Sequence, residues 1–139
     1  MSASDLLAIR PWFFAAAVYN VVWGSLHVFT PLAVPRLLGL EAIDPLVWQS
    51  LGLFVGVYAP AFAWAARTPE RHPHLVAVAA LGKVAGPLGF AWAVSAGELP
   101  LRFGLVVLTN DVIWLPAILL YIRGAAARSG GWRAFAAGG

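Results

Sequence analysis

Lys83, Asn110 and Asp111 stand inside apolar stretches of this chain, and charged groups in such surroundings are the residues most able to do chemistry there. A lone ammonium at the centre of a bilayer costs about 2.5 to 3.5 kcal/mol on the insertion scale, and a carboxylate is comparably unwelcome. The two charges are therefore expected to pair. With Asn20, Tyr58 and Asn110 as further hydrogen-bonding partners, such a pair suits recognition of the polar end of a lipophilic molecule. It equally suits proton transfer, with Asp111 as acid or base and Lys83 tuning it. A third use is structural, in which the pair clamps two helices in register and touches no ligand. Lys83 as a Schiff-base lysine with Asp111 as counter-ion is disfavoured, because four helices make a thin wall around a chromophore.

A second polar set is formed by His27 and Gln49, with Trp48 beside them. Asn20, Trp23 and His27 follow i, i+3, i+7 spacing and so share one helix face. Trp114 stands one turn from Asn110 and Asp111, so Trp23 and Trp114 are expected to wall the polar residues with aromatic surface. Trp12 and Trp132 fit the interfacial belt. His72 and His74 flank Pro73 in a loop with only Glu70 nearby, a poor metal site and better read as solvated histidines. No metal and no cofactor is expected. The absence of cysteine removes thiolate zinc sites, Cys-ligated clusters and covalent haem, and a single histidine within a span argues against a bis-histidine haem in one subunit.

The elements that must position these residues are four apolar stretches, 11–30, 46–66, 75–96 and 101–122. Each matches the ~20 residues that a hydrocarbon core of ~30 Å requires. The expected fold is an all-α, four-helix membrane bundle in a single domain covering 1–139, with 123–139 as a tail. Of the 139 residues, 61% are hydrophobic and 11% charged, which leaves little for a soluble module. The net charge of +3 forms no basic stripe, so anionic lipid is the expected partner and nucleic acid is not.

Counting ~1.5 Å per residue from one end of each span puts Asn20 at ~13 Å, Tyr58 and Lys83 at ~12 Å and Asp111 at ~16 Å. Four helices thus contribute to one slab near mid-membrane. His27, Trp48 and Gln49 fall at ~24 to 27 Å, toward the other surface. Pro60, Pro87 and Pro116 remove backbone donors and free the carbonyls of Gly56, Lys83 and Val112, all near the polar slab. The Gly52/Gly56 and Gly82/Gly86 spacings permit close helix approach, within one bundle or between copies.

Arg10, Arg67, Arg71, Arg123, Arg128 and Arg133 fall on one side of a four-span topology, while the other side has Arg36 and Arg102 with Glu41, Asp44 and Glu98. The positive-inside rule then places both termini in the cytoplasm. The loop 31–45, punctuated by Pro31, Pro35, Gly39 and Pro45, reads as an interfacial cap or a connector lying among headgroups. After Arg123 the chain reads as a surface anchor or frayed tail.

The run GSLHVFTPLAVPRLLG from Gly24 to Gly39, a glycine-rich second span and two further spans resemble the small DoxX-like bacterial inner-membrane proteins. GKVAGP at Gly82–Pro87 and NDVIWLP at Asn110–Pro116 look like signatures. The resemblance implies a four-helix subunit of the bacterial inner membrane, sometimes associated with quinone or redox partners. Three functions are compatible with these residues. The first is a protein that binds a lipophilic ligand of quinone or isoprenoid type, alone, as a homo-oligomer or in a larger membrane complex, with Lys83 and Asp111 at its polar end. The others are an intramembrane isomerase or cyclase using Asp111 and Lys83, and an oligomeric proton or small-solute transporter.

Overall fold

The computed structural model describes residues 3–40 and 44–138, with side chains from Ala8 onward. Among them every regular element is helical: α1 (Ala3–Phe29), α2 (Ala33–Leu37), α3 (Pro45–Arg67), α4 (Pro73–Ser95), α5 (Gly104–Asn110), α6 (Leu115–Arg128) and α7 (Trp132–Ala136), with short 3-10 turns at Leu101–Phe103 and Val112–Trp114. α1, α3 and α4 are each long and apolar enough to cross a membrane, and so is the segment Leu101–Arg128 taken as one. Large apolar side chains face outward along all four, among them Phe29, Phe54, Leu81 and Leu119. Such a surface is at home only against lipid, so the chain is a multi-pass membrane protein.

Local chemistry sets the helix starts. Pro45 and Pro73 open α3 and α4, where a missing N–H costs nothing, and the Asp44 carboxylate caps α3 by accepting from the Leu46 N–H at 2.8 Å. Glu41, which entered the expected charge asymmetry, lies outside the described residues.

α1 and α3 form the tightest pair. A β-carbon on Gly24 would stand 2.8 Å from the Gly52 carbonyl oxygen, and one on Gly52 would stand 2.8 Å from the His27 β-carbon. Only glycine lets these backbones touch. Around this pair the interior divides in two. At the end holding the termini, Phe13, Phe62, Val76, Ile118 and Tyr121 pack with a set of alanines. At the opposite end Trp23, Trp48 and Val55 pack beneath Val34, Leu40 and Phe103. The loop after α1 thus does cap the bundle, with Pro35 and Leu38 buried and Arg102 donating to the Gly39 carbonyl at 3.0 Å.

The structure corrects the expectations for the C-terminal segment and for the fourth span. The residues after Arg123 are no frayed tail: α6 continues to Arg128, and α7 turns back to bury Phe135 in the main core. His74 is exposed, as expected of a solvated histidine, and it also anchors α7. Its ring stacks on Phe135, with centroids 4.6 Å apart and planes 8° apart, and its Nε2 donates to the Phe135 carbonyl at 2.7 Å. The fourth span, expected as one helix over 101–122, is broken in its middle.

Candidate functional site

The break falls at Asn110–Asp111. α5 ends at Asn110, Asp111 takes φ −119° and ψ −60°, and a single 3-10 turn intervenes before α6 begins at Leu115 with Pro116 in its first turn. Pro116 has no N–H to return to Val112, so the ladder fails here by composition. Two side chains take up the carbonyls that the break releases. The Lys83 ammonium donates to the Asn110 carbonyl at 2.5 Å, and the Trp114 indole N–H donates to the Thr109 carbonyl at 3.0 Å.

The same ammonium lies 3.5 Å from Asp111 Oδ1, which also accepts from the Asn110 amide at 2.8 Å. Lys83 and Asp111 are 4% and 8% exposed, so both charges are held inside the bundle, away from lipid. Gly86 of α4, one turn from Lys83, makes room for the carboxylate, because a β-carbon there would collide with Asp111 Oδ2. Tyr19 rests its ring on Trp114, centroids 5.4 Å apart.

Hydrogen-bond accounting at the break is incomplete. An ammonium has three donors, and two partners engage this one. Asn110 Oδ1 is buried without a partner, although its own amide nitrogen is engaged. An open donor and an open acceptor therefore stand on neighbouring side chains. Past the break, a groove of about 510 Å³ runs between α1 and α6, lined by Ile9, Trp12, Ile113, Pro116, Ala117 and Leu120 among others.

Of the remaining candidates, Trp23, His27, Trp48 and Gln49 gather at a second centre near the capping loop. The His27 imidazole is sandwiched between two indoles, 3.6 Å from Trp23 at 17° and 5.0 Å from Trp48 at 20°. Its Nδ1 lies 2.8 Å from the Trp23 carbonyl, which can only accept, so Nδ1 carries the hydrogen and the buried Nε2 is left unpartnered. Gln49 ties α3 to α1 by donating to the Val28 carbonyl at 3.0 Å. Trp23 therefore belongs to this centre, and of the two tryptophans expected beside the ion pair Trp114 is the one that stands at the break.

Asn20 and Tyr58 make no hydrogen bond to the pair. Asn20 is fully buried, with its amide returned to the Ala16 carbonyl at 2.7 Å and its Oδ1 unpartnered. The Tyr58 hydroxyl lies over Gly82, 3.4 Å from where a β-carbon would stand. Sequence reasoning missed Tyr19 and Thr109 as neighbours of the site and read Gly86 only as a packing residue. The signals available were the adjacency of Thr109 to Asn110 and the one-turn spacing of Gly86 from Lys83. Among the described residues no group of three His, Cys, Asp or Glu is placed to hold a metal ion.

Fold and site together define a four-span helical membrane protein with an ion pair built into a discontinuous helix. No protein-family model matches the chain, and neither a curated protein nor a solved structure is found to be similar to it.

Proposed function

We propose that this protein binds a lipophilic molecule with a hydroxyl or carbonyl end, of quinone or isoprenoid type, at the break in the fourth span. The observation that carries this reading is the unpartnered, buried Asn110 Oδ1 beside an ammonium with one donor to spare. A clamp whose sole task is to fix helix register is expected to close its own hydrogen bonds, since each polar group left unpaired away from water costs about 1 to 3 kcal/mol. A ligand hydroxyl supplies both missing partners, accepting from Lys83 and donating to Asn110, whereas a quinone carbonyl supplies only the acceptor for Lys83. Irregular backbone at membrane depth is tolerated where protein or a cavity covers it, and discontinuous helices with charged residues recur at membrane binding sites. The apolar part of the ligand has the groove between α1 and α6, whose lining includes Ile113, two residues past Asp111 in the chain.

The arginine-rich end carrying both termini faces the cytoplasm in this reading, by the positive-inside rule, and the membrane is the bacterial inner membrane that the DoxX-like resemblance implies. The protein acts as a binding or accessory subunit, as a homo-oligomer or with membrane partners. Replacing Lys83 by Met together with Asp111 by Leu tests the proposal, because it removes both charges at once and leaves no buried ion unpaired. Native mass spectrometry with lipid extraction should show a folded double variant that has lost a stoichiometric lipophilic molecule carried by the wild type. Retention of that molecule by the variant would refute the assignment.

A further inference from the structure

Two grooves follow one another along the opposite seam of α1, where it meets α3, and the site at the break uses neither. At the end of the bundle that holds the termini, Arg10, Pro11, Phe14, Ala66 and Arg67 line a groove of about 490 Å³. One helical turn deeper on both helices, from Phe14 to Ala17 and from Ala66 to Ala63, begins a second groove of about 350 Å³, lined entirely by apolar residues that include Val18, Val21, Val22 and Pro60. From Arg10 to Val22 the series spans ~18 Å of helix rise.

Arg10 is held in place within it. Its Nε donates at 2.7 Å to the Ala66 carbonyl, one of the last carbonyls of α3 and without a helical partner of its own. That bond leaves the two terminal nitrogens of the guanidinium as outward donors. Arg67 stands on the other wall, and among the described residues neither arginine forms an ion pair, the one salt bridge being Lys83–Asp111. No carboxylate lines either groove. The level is right as well, since both arginines sit at span ends where headgroups lie, and Trp12 is exposed at the same level on the other seam of α1 as an interfacial anchor.

From these observations we infer that the α1–α3 seam seats one anionic glycerophospholipid, its phosphate held between Arg10 and Arg67 and an acyl chain laid along the valine-lined groove. Charge selects the headgroup, as basic pockets between membrane helices do. The run of apolar groove behind the two arginines selects a lipid over a free phosphate ion, which has nothing to place there.

The test is native mass spectrometry of the full-length protein released from bilayers of phosphatidylglycerol and phosphatidylcholine in equal amounts. The wild type should retain one phosphatidylglycerol in preference to phosphatidylcholine. In Arg10→Gln with Arg67→Gln the preference should fall to parity, and Arg123→Gln with Arg133→Gln should leave it intact. Arg67→Gln alone guards against misfolding, because among the described residues the Arg67 guanidinium makes no hydrogen bond; it should weaken the preference in a protein of unchanged thermal stability. Equal retention of both lipids by the wild type, an undiminished preference in Arg67→Gln, or an equal loss in the Arg123/Arg133 variant would overturn the assignment, the last by showing diffuse surface attraction.

Discussion

α1 and α3 meet backbone to backbone through Gly24 and Gly52, whereas α4 meets the fourth span through an ammonium, a carboxylate and a carbonyl released by a broken helix. The first junction is closed at its middle by dispersion at van der Waals distance, with polar ties only toward its ends, Arg10 to the Ala66 carbonyl and Gln49 to the Val28 carbonyl. The second is polar at a depth where water cannot repair an imperfect arrangement. A bundle of this size can be held together by contacts of the first kind, as the Phe13, Phe62 and Ile118 core also shows. The polar junction is thus more than cohesion requires, and that excess makes it the place to look for function.

Breaking the polar junction on one side only should have the largest effect. Lys83→Met leaves the Asp111 carboxylate buried with a single amide for company, and loss of one partner from a buried pair costs about 3 to 5 kcal/mol. Unfolding in detergent should show a loss of that order, with most of it regained when Asp111→Leu is added. Equal losses in single and double variants would mean that charge pairing is not what joins α4 to the fourth span. Next, Gly24→Val forces bulk against the Gly52 carbonyl and should cost roughly 1 to 3 kcal/mol or more by overpacking, with the ligand stoichiometry of the surviving folded fraction unchanged. Gly86→Ala drives a methyl into the Asp111 carboxylate. It should do the reverse, reducing ligand retention for a stability loss of about 1 kcal/mol, at the low end of the overpacking range. Smallest of all is Gly56→Ala, whose added β-carbon meets nothing within 4 Å. It should be neutral or stabilising by up to about 1 kcal/mol through helix propensity, measured in the same unfolding assay.

The sequence made some of this contrast legible and hid the rest for physical reasons. Span length and hydropathy reveal the four crossings, because lipid imposes one thickness on all of them. The meeting of Lys83 with Asp111 follows from the cost of a lone charge and from depth counting. The break at Asp111 was half legible: Pro116 announced a lost hydrogen bond, but a proline only kinks many membrane helices, and here the outcome depends on Lys83 and Trp114 arriving from outside the local ladder to take the freed carbonyls. Partition of the polar residues into two centres was not legible. Trp23 lies one turn from both Asn20 and His27, and only the rotation of α1 against α3 sends its ring to His27 and Trp48. The docking of α7 was hidden as well, since a short Ala- and Gly-rich segment has almost no pattern of its own and is fixed by Phe135 and His74.

The central claim, that the broken span holds a ligand rather than merely joining two helices, is tested most directly by purifying wild type and Asp111→Asn in mild detergent and comparing them by native mass spectrometry and lipid extraction, with helicity and thermal profile measured alongside. The account predicts one stoichiometric lipophilic molecule in the wild type and its loss from an Asp111→Asn variant that keeps its helicity while melting earlier, as loss of one partner of a buried pair requires, and any phospholipid at Arg10 and Arg67 persists in both. Two helical proteins, both empty or both carrying the same molecule, would contradict it and leave the ion pair as a clamp.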